Sequence, residues 1–387
     1  MGSRSKAPGR VRGGTPASPN PMTRQPVLIY RDRIGAPSEI AFSRRQYLGF
    51  SRLRPVWIGR AVLPRAKEIS PDVIRIGTTP GLLLRHFGIA PALDTRGYAP
   101  VVHAQFARGG AQALPLARAM GAGLVVTLHG GDVGKDKNWR RTSLSRRWPA
   151  VIARAYRFVC VSDAVAGAAA RRGVPEGLLT VLPVGVEIPP SIPDGPRDGG
   201  FLFAGRFVEK KGIAVMAAAI RDLRASGDRT PVVCAGEGPL RPMLEALARD
   251  VANVELVGWL DQQALAARMA SARALLVPSL IAANGDAEGL PSVVMEAMAR
   301  GCAVIGTAEG GIAEAVADET TGLLVPPGDA SALAAAMHRL GGDAVFAAHL
   351  AAAAHLAAAA RFDAVRQSAI LETIVLAAAD GAMKTTR

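Results

Sequence analysis

Short, wholly apolar runs recur along the chain between longer Ala-rich stretches, the pattern of buried strands alternating with helices. VLIY (27–30), PVWIG (55–59), DVIRIG (72–77), VVHAQF (101–106), GLVVTLHGGD (123–132) and RFVCV (157–161) predict strands in the first half. FLFAG (201–205), VVCAG (232–236), VELVGWL (254–260), ALLVPS (274–279), CAVIGT (302–307) and TGLLVPPGD (321–329) predict them in the second. This alternation predicts a parallel α/β architecture. Between the two series, SIPDGPRDGG (191–200) has the Pro and Gly content of a linker, so the strands divide into two domains, 27–192 and 193–361. Residues 1–26 are rich in Gly, Pro, Ser and Arg with little to bury and read as a disordered basic tail, whereas 330–379 is Ala-rich and helical.

The stretch DAEGLPSVVMEAMARGCAVIGTAEGG (286–311) asks for a loop, a helix, a strand and a Gly-rich turn in immediate succession. Pro291 suits the first turn of a helix and Gly301 the residue just past its end, so Pro291 to Arg300 reads as helix. Gly289 and Leu290 then lie at its N-terminus, where free backbone N–H groups favour a phosphate. Glu288 sits on the approach loop and Glu296 inside the helix, roughly 8 to 10 Å apart, a span suited to the sugar and ribose ends of a sugar nucleotide. Gly310 and Gly311, after the strand, let backbone come close to a ligand.

Glu288 and Glu296, with seven residues between them and GLP, EAMA, a strand and GGIAE around them, resemble the donor site of the retaining glycosyltransferases of family 4, which have the GT-B fold. The lead-in PSLIAANGDAEG is similar to the branch that builds bacterial exopolysaccharide of the colanic acid type. The resemblance runs from about Val27 to Ala379. It implies two Rossmann-like domains facing each other across a cleft, with the last helix, 362–380, crossing back onto the first. FLFAGRFVEKKG resembles the family's diphosphate clamp and gives Arg206 and Lys211 that role. The chemistry agrees, because a leaving nucleoside diphosphate gains negative charge as the glycosidic bond breaks. By the same resemblance His129 faces the donor sugar, Gly35 the donor phosphates, Glu237 the nucleotide, and the backbone at Val257 and Gly258 the base. Glu288 positions the sugar and Glu296 holds the ribose. The family reacts on one face of the sugar and needs no metal, since the two cations do its work.

Charge divides unevenly: residues 1–200 carry 30 Lys and Arg against 12 Asp and Glu, residues 201–387 carry 16 against 20. A basic half points to an anionic partner, whether nucleic acid, membrane surface or phosphorylated acceptor. The resemblance selects a glycan or polyprenyl-diphosphate-linked acceptor at the inner membrane face and no nucleic acid. Two stretches interleave Arg or Lys with aromatics. AFSRRQYLGFSRLR (41–54), in a helix starting near Ser38, carries Phe42, Tyr47 and Phe50, and KDKNWRRTSLSRRWPA (135–150) carries Trp139 and Trp148; such surfaces can lie on anionic lipid. The three cysteines are scattered, two of them inside apolar runs, and read as reduced core residues of a cytosolic protein, with no metal-ligand spacing. No stretch of 18 uncharged apolar residues runs in sequence, so a soluble or peripheral protein is expected.

The reading is a hexosyltransferase that moves a sugar, with retained configuration, from a nucleotide-diphosphate sugar to a surface-glycan acceptor. Two alternatives stand beside it. A sugar-nucleotide epimerase of the same fold would need no acceptor, and a non-catalytic membrane-associated scaffold would release no nucleotide. A dinucleotide-dependent dehydrogenase lacks its G-x-G-x-x-G after the first strand.

Overall fold

The structure, a computed structural model, describes residues 24–36, 39–76, 93–135, 143–192, 197–283, 285 and 287–385. Its first sheet has seven strands in the order β5-β3-β1-β6-β7-β8-β9. These are β1 Gln25–Tyr30, β3 Leu53–Gly59, β5 Val73–Arg75, β6 Val101–Gln105, β7 Gly123–Leu128, β8 Ala155–Cys160 and β9 Leu179–Val181. The second has six, ordered β12-β11-β10-β13-β14-β15. They are β10 Phe201–Ala204, β11 Val232–Ala235, β12 Val254–Gly258, β13 Ala274–Val277, β14 Ala303–Thr307 and β15 Gly322–Val325. A two-stranded ribbon pairs β2 Arg33–Ile34 with β4 Ala61–Val62. Every pairing among the described strands is parallel.

Both sheets are doubly wound: the chain steps outward from the first strand on one side, then returns to start again on the other. A crevice therefore opens between β1 and β6 in the first sheet and between β10 and β13 in the second, at the carboxyl ends of the strands. This topology brings the loops of the two expected sites together. The strands read as continuous apolar runs because helices cover both sheet faces and leave no solvent side. Each sheet carries a core on either face, with Leu28, Val102, Val126 and Phe158 on one side of the first and Val27, Ile29, Val125 and Val159 on the other.

The chain crosses between the sheets twice. At the crossing, Val186 N–H donates to Phe362 O and Ala364 N–H donates to Val186 O. The C-terminal helix then lays Leu371, Val375, Ala378 and Ala379 into the core that contains Trp57, Val27 and Val159 of the first domain. The expected return of the chain end is present.

Two expectations are corrected here. The basic and aromatic stretch 41–54 is not one lipid-facing helix: helix α1 spans only Ile40–Arg45, a turn follows, and β3 begins at Leu53. Tyr47 and Phe50 are buried in the core beside Trp57, and Arg45 is buried too. The aromatics are there for packing. In the second basic stretch, Trp148 is buried with its indole N–H donating to Arg172 O, while residues 136–142 and the proposed cap Ser38 lie outside the described residues. Among the described residues one helix, Ala344–Arg361, is long and apolar enough by composition to cross a membrane. Its apolarity is largely alanine, and Leu350, Ala351, Ala354 and Ala358 are buried against the second domain.

Candidate active site

The second sheet's switch point assembles the charged centre. The loop leaving β10 carries Arg206, Lys210 and Lys211, and the loop leaving β13 carries Glu288. Gly212 draws the first loop against the second: its φ is +66°, and a Cβ there would lie 1.7 Å from Pro278 O. Leu280 N–H also donates to Lys210 O at 2.8 Å. As a result both ammonium groups reach one carboxylate oxygen, Lys210 Nζ at 3.2 Å and Lys211 Nζ at 3.3 Å from Glu288 Oε1. Burial pushes the Glu288 pKa up, but the charges of Lys211 and Lys210 outweigh it and hold the carboxyl below its ordinary value. Glu288 is therefore an anion in a cationic site. Glu288 and Lys211 were named from two separate motifs, and their pairing was not anticipated; Lys210 was missed, although it stands next to Lys211 in EKKG.

Arg206 is exposed, with no side-chain partner among the described residues, and its guanidinium is free to meet an anion entering from solvent. The helix Ser292–Ala299 has Pro291 as its N-cap and Arg300 as its C-cap, with Gly301 following, one residue shorter at each end than expected. Its Glu296 makes an ion pair with Arg45 of the first domain at 2.5 Å, the two side chains 13% and 4% exposed. A ribose that takes Glu296 must share or displace Arg45. Sequence reasoning had Arg45 facing lipid, and nothing in its local pattern pointed to a partner 251 residues away.

The glycines of this region serve a contact different from the one expected. A Cβ on Gly311 would lie 1.8 Å from Gly289 O, and one on Gly289 would lie 2.3 Å from His129 O. Gly311, Gly289 and the His129 backbone are stacked, so these glycines let backbone approach backbone and close one domain onto the other. Two further contacts support the closure. Ser162 Oγ donates to Gly289 O at 3.0 Å, and the Glu314 carboxylate accepts from Asp163 N and Ala164 N, each at 2.7 Å, at the start of the helix Asp163–Arg171. A carboxylate there satisfies two free N–H groups and faces the positive end of the helix.

His129 ends β7 beside the same loop. Its Nε2 lies 2.8 Å from Gln105 Oε1, and its ring lies against Phe106 at 4.3 Å and Phe42 at 5.2 Å. Burial, with smaller contributions from Arg31 and His103, pushes its pKa down to about 3, so the imidazole is neutral. His103 is a structural group, fully buried between Tyr47 Oη and Thr127 Oγ1. Gly35 is buried with φ +92°, and a Cβ there would lie 2.6 Å from Ala66 N: the contact that requires glycine is with Ala66. On the other flank, Glu237 is exposed and ion-paired with Arg241 at 2.6 Å. A Cβ on Gly258 would lie 3.3 Å from the Glu237 carboxylate, and Gly236 N–H donates to Gly258 O, so the Glu237 turn and the Val257-Gly258 segment form one rim of the crevice. A cavity of about 420 Å³ is lined by Ser162, Pro183, Leu290, Glu314, Arg361 and Phe362 among others. Of the expected site residues it takes only Leu290.

Comparison with known proteins agrees with both halves of this arrangement. The family described as Glycosyltransferase Family 4 matches residues 73–188, and that described as Glycosyl transferases group 1 matches residues 199–343. The chain is 29% identical over 302 residues to the amylovoran biosynthesis glycosyltransferase AmsK of Erwinia amylovora, covering 74% of this chain and 69% of that one. It is 35% identical over 185 residues to WcaL of Escherichia coli, named as a colanic acid biosynthesis glycosyltransferase, but that match spans 45% of each. Among solved structures, HepE of Anabaena in complex with UDP and glucose superposes with a TM-score of 0.72 at 18% identity over 90% of this chain and 98% of that one. The sucrose-phosphate synthase of Thermosynechococcus elongatus gives 0.71 at 24% identity, over 91% and 98%. The fold is GT-B, and one family match falls on each Rossmann-like domain, Glycosyltransferase Family 4 on the first and Glycosyl transferases group 1 on the second.

Proposed function

We propose that the protein transfers a hexosyl unit, with retained configuration, from a nucleotide-diphosphate sugar held by the second domain to a glycan acceptor held by the first, in the assembly of a surface polysaccharide. The observation that carries this reading is the meeting of Lys210, Lys211 and Glu288 at the switch point of the second sheet, with Arg206 exposed beside them. The cations neutralise the diphosphate as its bond to the sugar breaks, and they make a metal unnecessary. A new bond to the acceptor oxygen forms on the face the diphosphate leaves, and the acceptor's proton passes to a departing phosphate oxygen. Glu288 orients the sugar, and Glu296 with the rim at Glu237, Val257 and Gly258 receives the nucleoside. The exopolysaccharide setting rests on the likeness to AmsK and WcaL. Incubation with UDP- and GDP-sugars tests the reading: nucleoside diphosphate release that increases when a glycan acceptor is added is expected. Release of nothing from any donor would sink the transferase reading, and conversion of the donor sugar without acceptor would favour an epimerase.

The acceptor is proposed to be linked to a polyprenyl diphosphate at the inner face of the membrane. With Tyr47, Phe50 and Trp148 buried, support for docking comes from charge alone: the first half's excess of cations, with Arg44, Arg52 and Arg146 exposed. Each such residue near an anionic surface contributes about 1 kcal/mol. Sedimentation with vesicles should show binding to anionic but not neutral lipid, weakening with salt. Equal binding to both, or none, would leave a soluble acceptor as the better assignment.

A further inference from the structure

His129 sits at the end of a buried polar chain whose hydrogen-bond directions can be worked out. Gln105, 1% exposed at the end of β6, places its Nε2 2.9 Å from Gln46 Oε1 and 2.6 Å from Tyr47 Oη, and its Oε1 2.8 Å from His129 Nε2. Tyr47 Oη continues to His103 Nδ1 at 2.9 Å, and His103 Nε2 to Thr127 Oγ1 at 2.7 Å; Gln46 Nε2 reaches the same Thr127 oxygen at 3.3 Å. With Gln105 donating from Nε2, Tyr47 donates to His103, and Thr127 Oγ1 accepts from both His103 and Gln46 on its two lone pairs. Turning both amides over would require the single Thr127 hydroxyl proton to serve His103 and Gln46 at once. The first arrangement gives each of these six contacts one donor and one acceptor, whereas the second leaves one of the two Thr127 contacts without a donor.

We propose that Gln105 is a positioning residue that holds His129 as the neutral tautomer protonated on Nε2, so that Nδ1 is presented to the bound donor as a hydrogen-bond acceptor for a sugar hydroxyl. Because Gln105 Oε1 is the acceptor, His129 Nε2 must carry the hydrogen. Nδ1 has no partner among the described residues and is not among the buried unpaired atoms, so it is not fully enclosed. The ring is held in place as well. Phe106 lies against it with φ +68°, a conformation that costs a bulky residue energy and marks a constrained site. The Arg31 guanidinium lies 4.0 Å from the Phe106 ring centroid. The charged and titratable groups around His129 are Arg31 after β1, His103 on β6 and Asp132, which accepts the His129 backbone N–H; the second domain contributes the Gly289 backbone. Arg31 and His103 both disfavour a proton on the ring, and burial does so more strongly.

This inference rests on the transferase reading for its donor, but not for its tautomer. The test is NMR of the full chain with 15N-labelled histidine, His129→Gln identifying the signal, together with pH profiles of donor turnover. In the wild type, His129 should be the Nε2–H tautomer with no titration between about pH 5.5 and 8. The Nδ1–H tautomer, or a titration in that range, would overturn the proposal without any variant being made. Gln105→Leu should lose the fixed tautomer and lower kcat/KM for the donor about 10-fold, the scale of one buried hydrogen bond. In Gln105→Glu, of the same shape, a carboxylate beside Nε2–H raises the His129 pKa, so activity should fall in acid and recover as pH rises through the raised value, a limb absent from the wild type. A folded Gln105→Leu with unchanged tautomer, turnover and pH profile refutes the positioning role; no nucleotide release from wild-type protein with any sugar nucleotide refutes the transferase reading instead.

Discussion

Lys211→Ala should lower turnover of the sugar nucleotide by on the order of 10²-fold or more, the loss seen when one preorganised stabiliser of transition-state charge is removed. The ammonium is half-buried, where its field is less screened than at the surface, and it lies 3.3 Å from Glu288 in the loop that the switch point aims at the donor. Its removal has a second effect. The charge of Lys211 is one of the contributions that hold the Glu288 carboxyl below its ordinary pKa, so in the variant Glu288 should take up a proton at higher pH and lose its pairing earlier on acidification. Arg206→Ala should cost a similar factor in turnover, with no such change at Glu288, because Arg206 has no side-chain partner among the described residues. Initial rates of nucleoside diphosphate release, with circular dichroism as the check on folding, decide the matter. A folded Lys211→Ala or Arg206→Ala protein with near wild-type rates would remove that residue from the clamp. Lys210→Ala is the informative companion, since equal losses at 210 and 211 would assign the role to the pair.

The strands were legible because both sheets are covered on both faces, which turns each strand into an unbroken apolar run; this is why FLFA, VVCA and ALLV could be placed almost to the residue. The Glu288 loop and the helix Ser292–Ala299 were legible for a local reason, the Pro and Gly residues at the helix ends. The return of the last helix was expected from the resemblance, but local pattern did not reveal individual contacts between residues distant in sequence. Arg45, Tyr47 and Phe50 have the local pattern of an amphipathic surface, yet Arg45 answers Glu296 in the other domain, Tyr47 packs on Trp57 and Phe50 on Tyr47. Gly289 and Gly311 marked a close approach correctly, but the sequence does not say what approaches, and the partner is backbone across the domain interface. Glu314 and Gln105 carried no motif of their own. Each matters through a geometry that exists only when β6, β7 and the second domain's loops meet.

The largest effect on stability is expected from Glu372→Ala, at the far end of the crossover. Residues 364–385 form the last helix, and its docking on the first domain rests on Leu371, Val375 and Ala378 in the core and on one buried carboxylate, 4% exposed. Glu372 accepts from the backbone N–H groups of Ser51, Arg52 and Leu53 at 3.0, 2.8 and 2.7 Å and from Ser51 Oγ at 3.1 Å. Such charge-assisted bonds are stronger than neutral ones, and the three N–H groups, at the entry to β3, have no neighbour on their own strand to turn to. Truncation leaves donors unsatisfied, each costing about 1 to 3 kcal/mol where water cannot reach; since Ser51 and Arg52 are partly open to solvent, a total loss of at least ~3 kcal/mol is a conservative expectation. Glu372→Gln, whose amide oxygen still accepts, should lose less than half of that. Urea titration gives the magnitude, and hydrogen exchange gives the place: protection should fall first in 364–385 and at 51–53, ahead of the second domain. A Glu372→Ala protein within about 0.5 kcal/mol of wild type would mean that the apolar face alone docks the helix, and that the carboxylate merely replaces water at the strand entry.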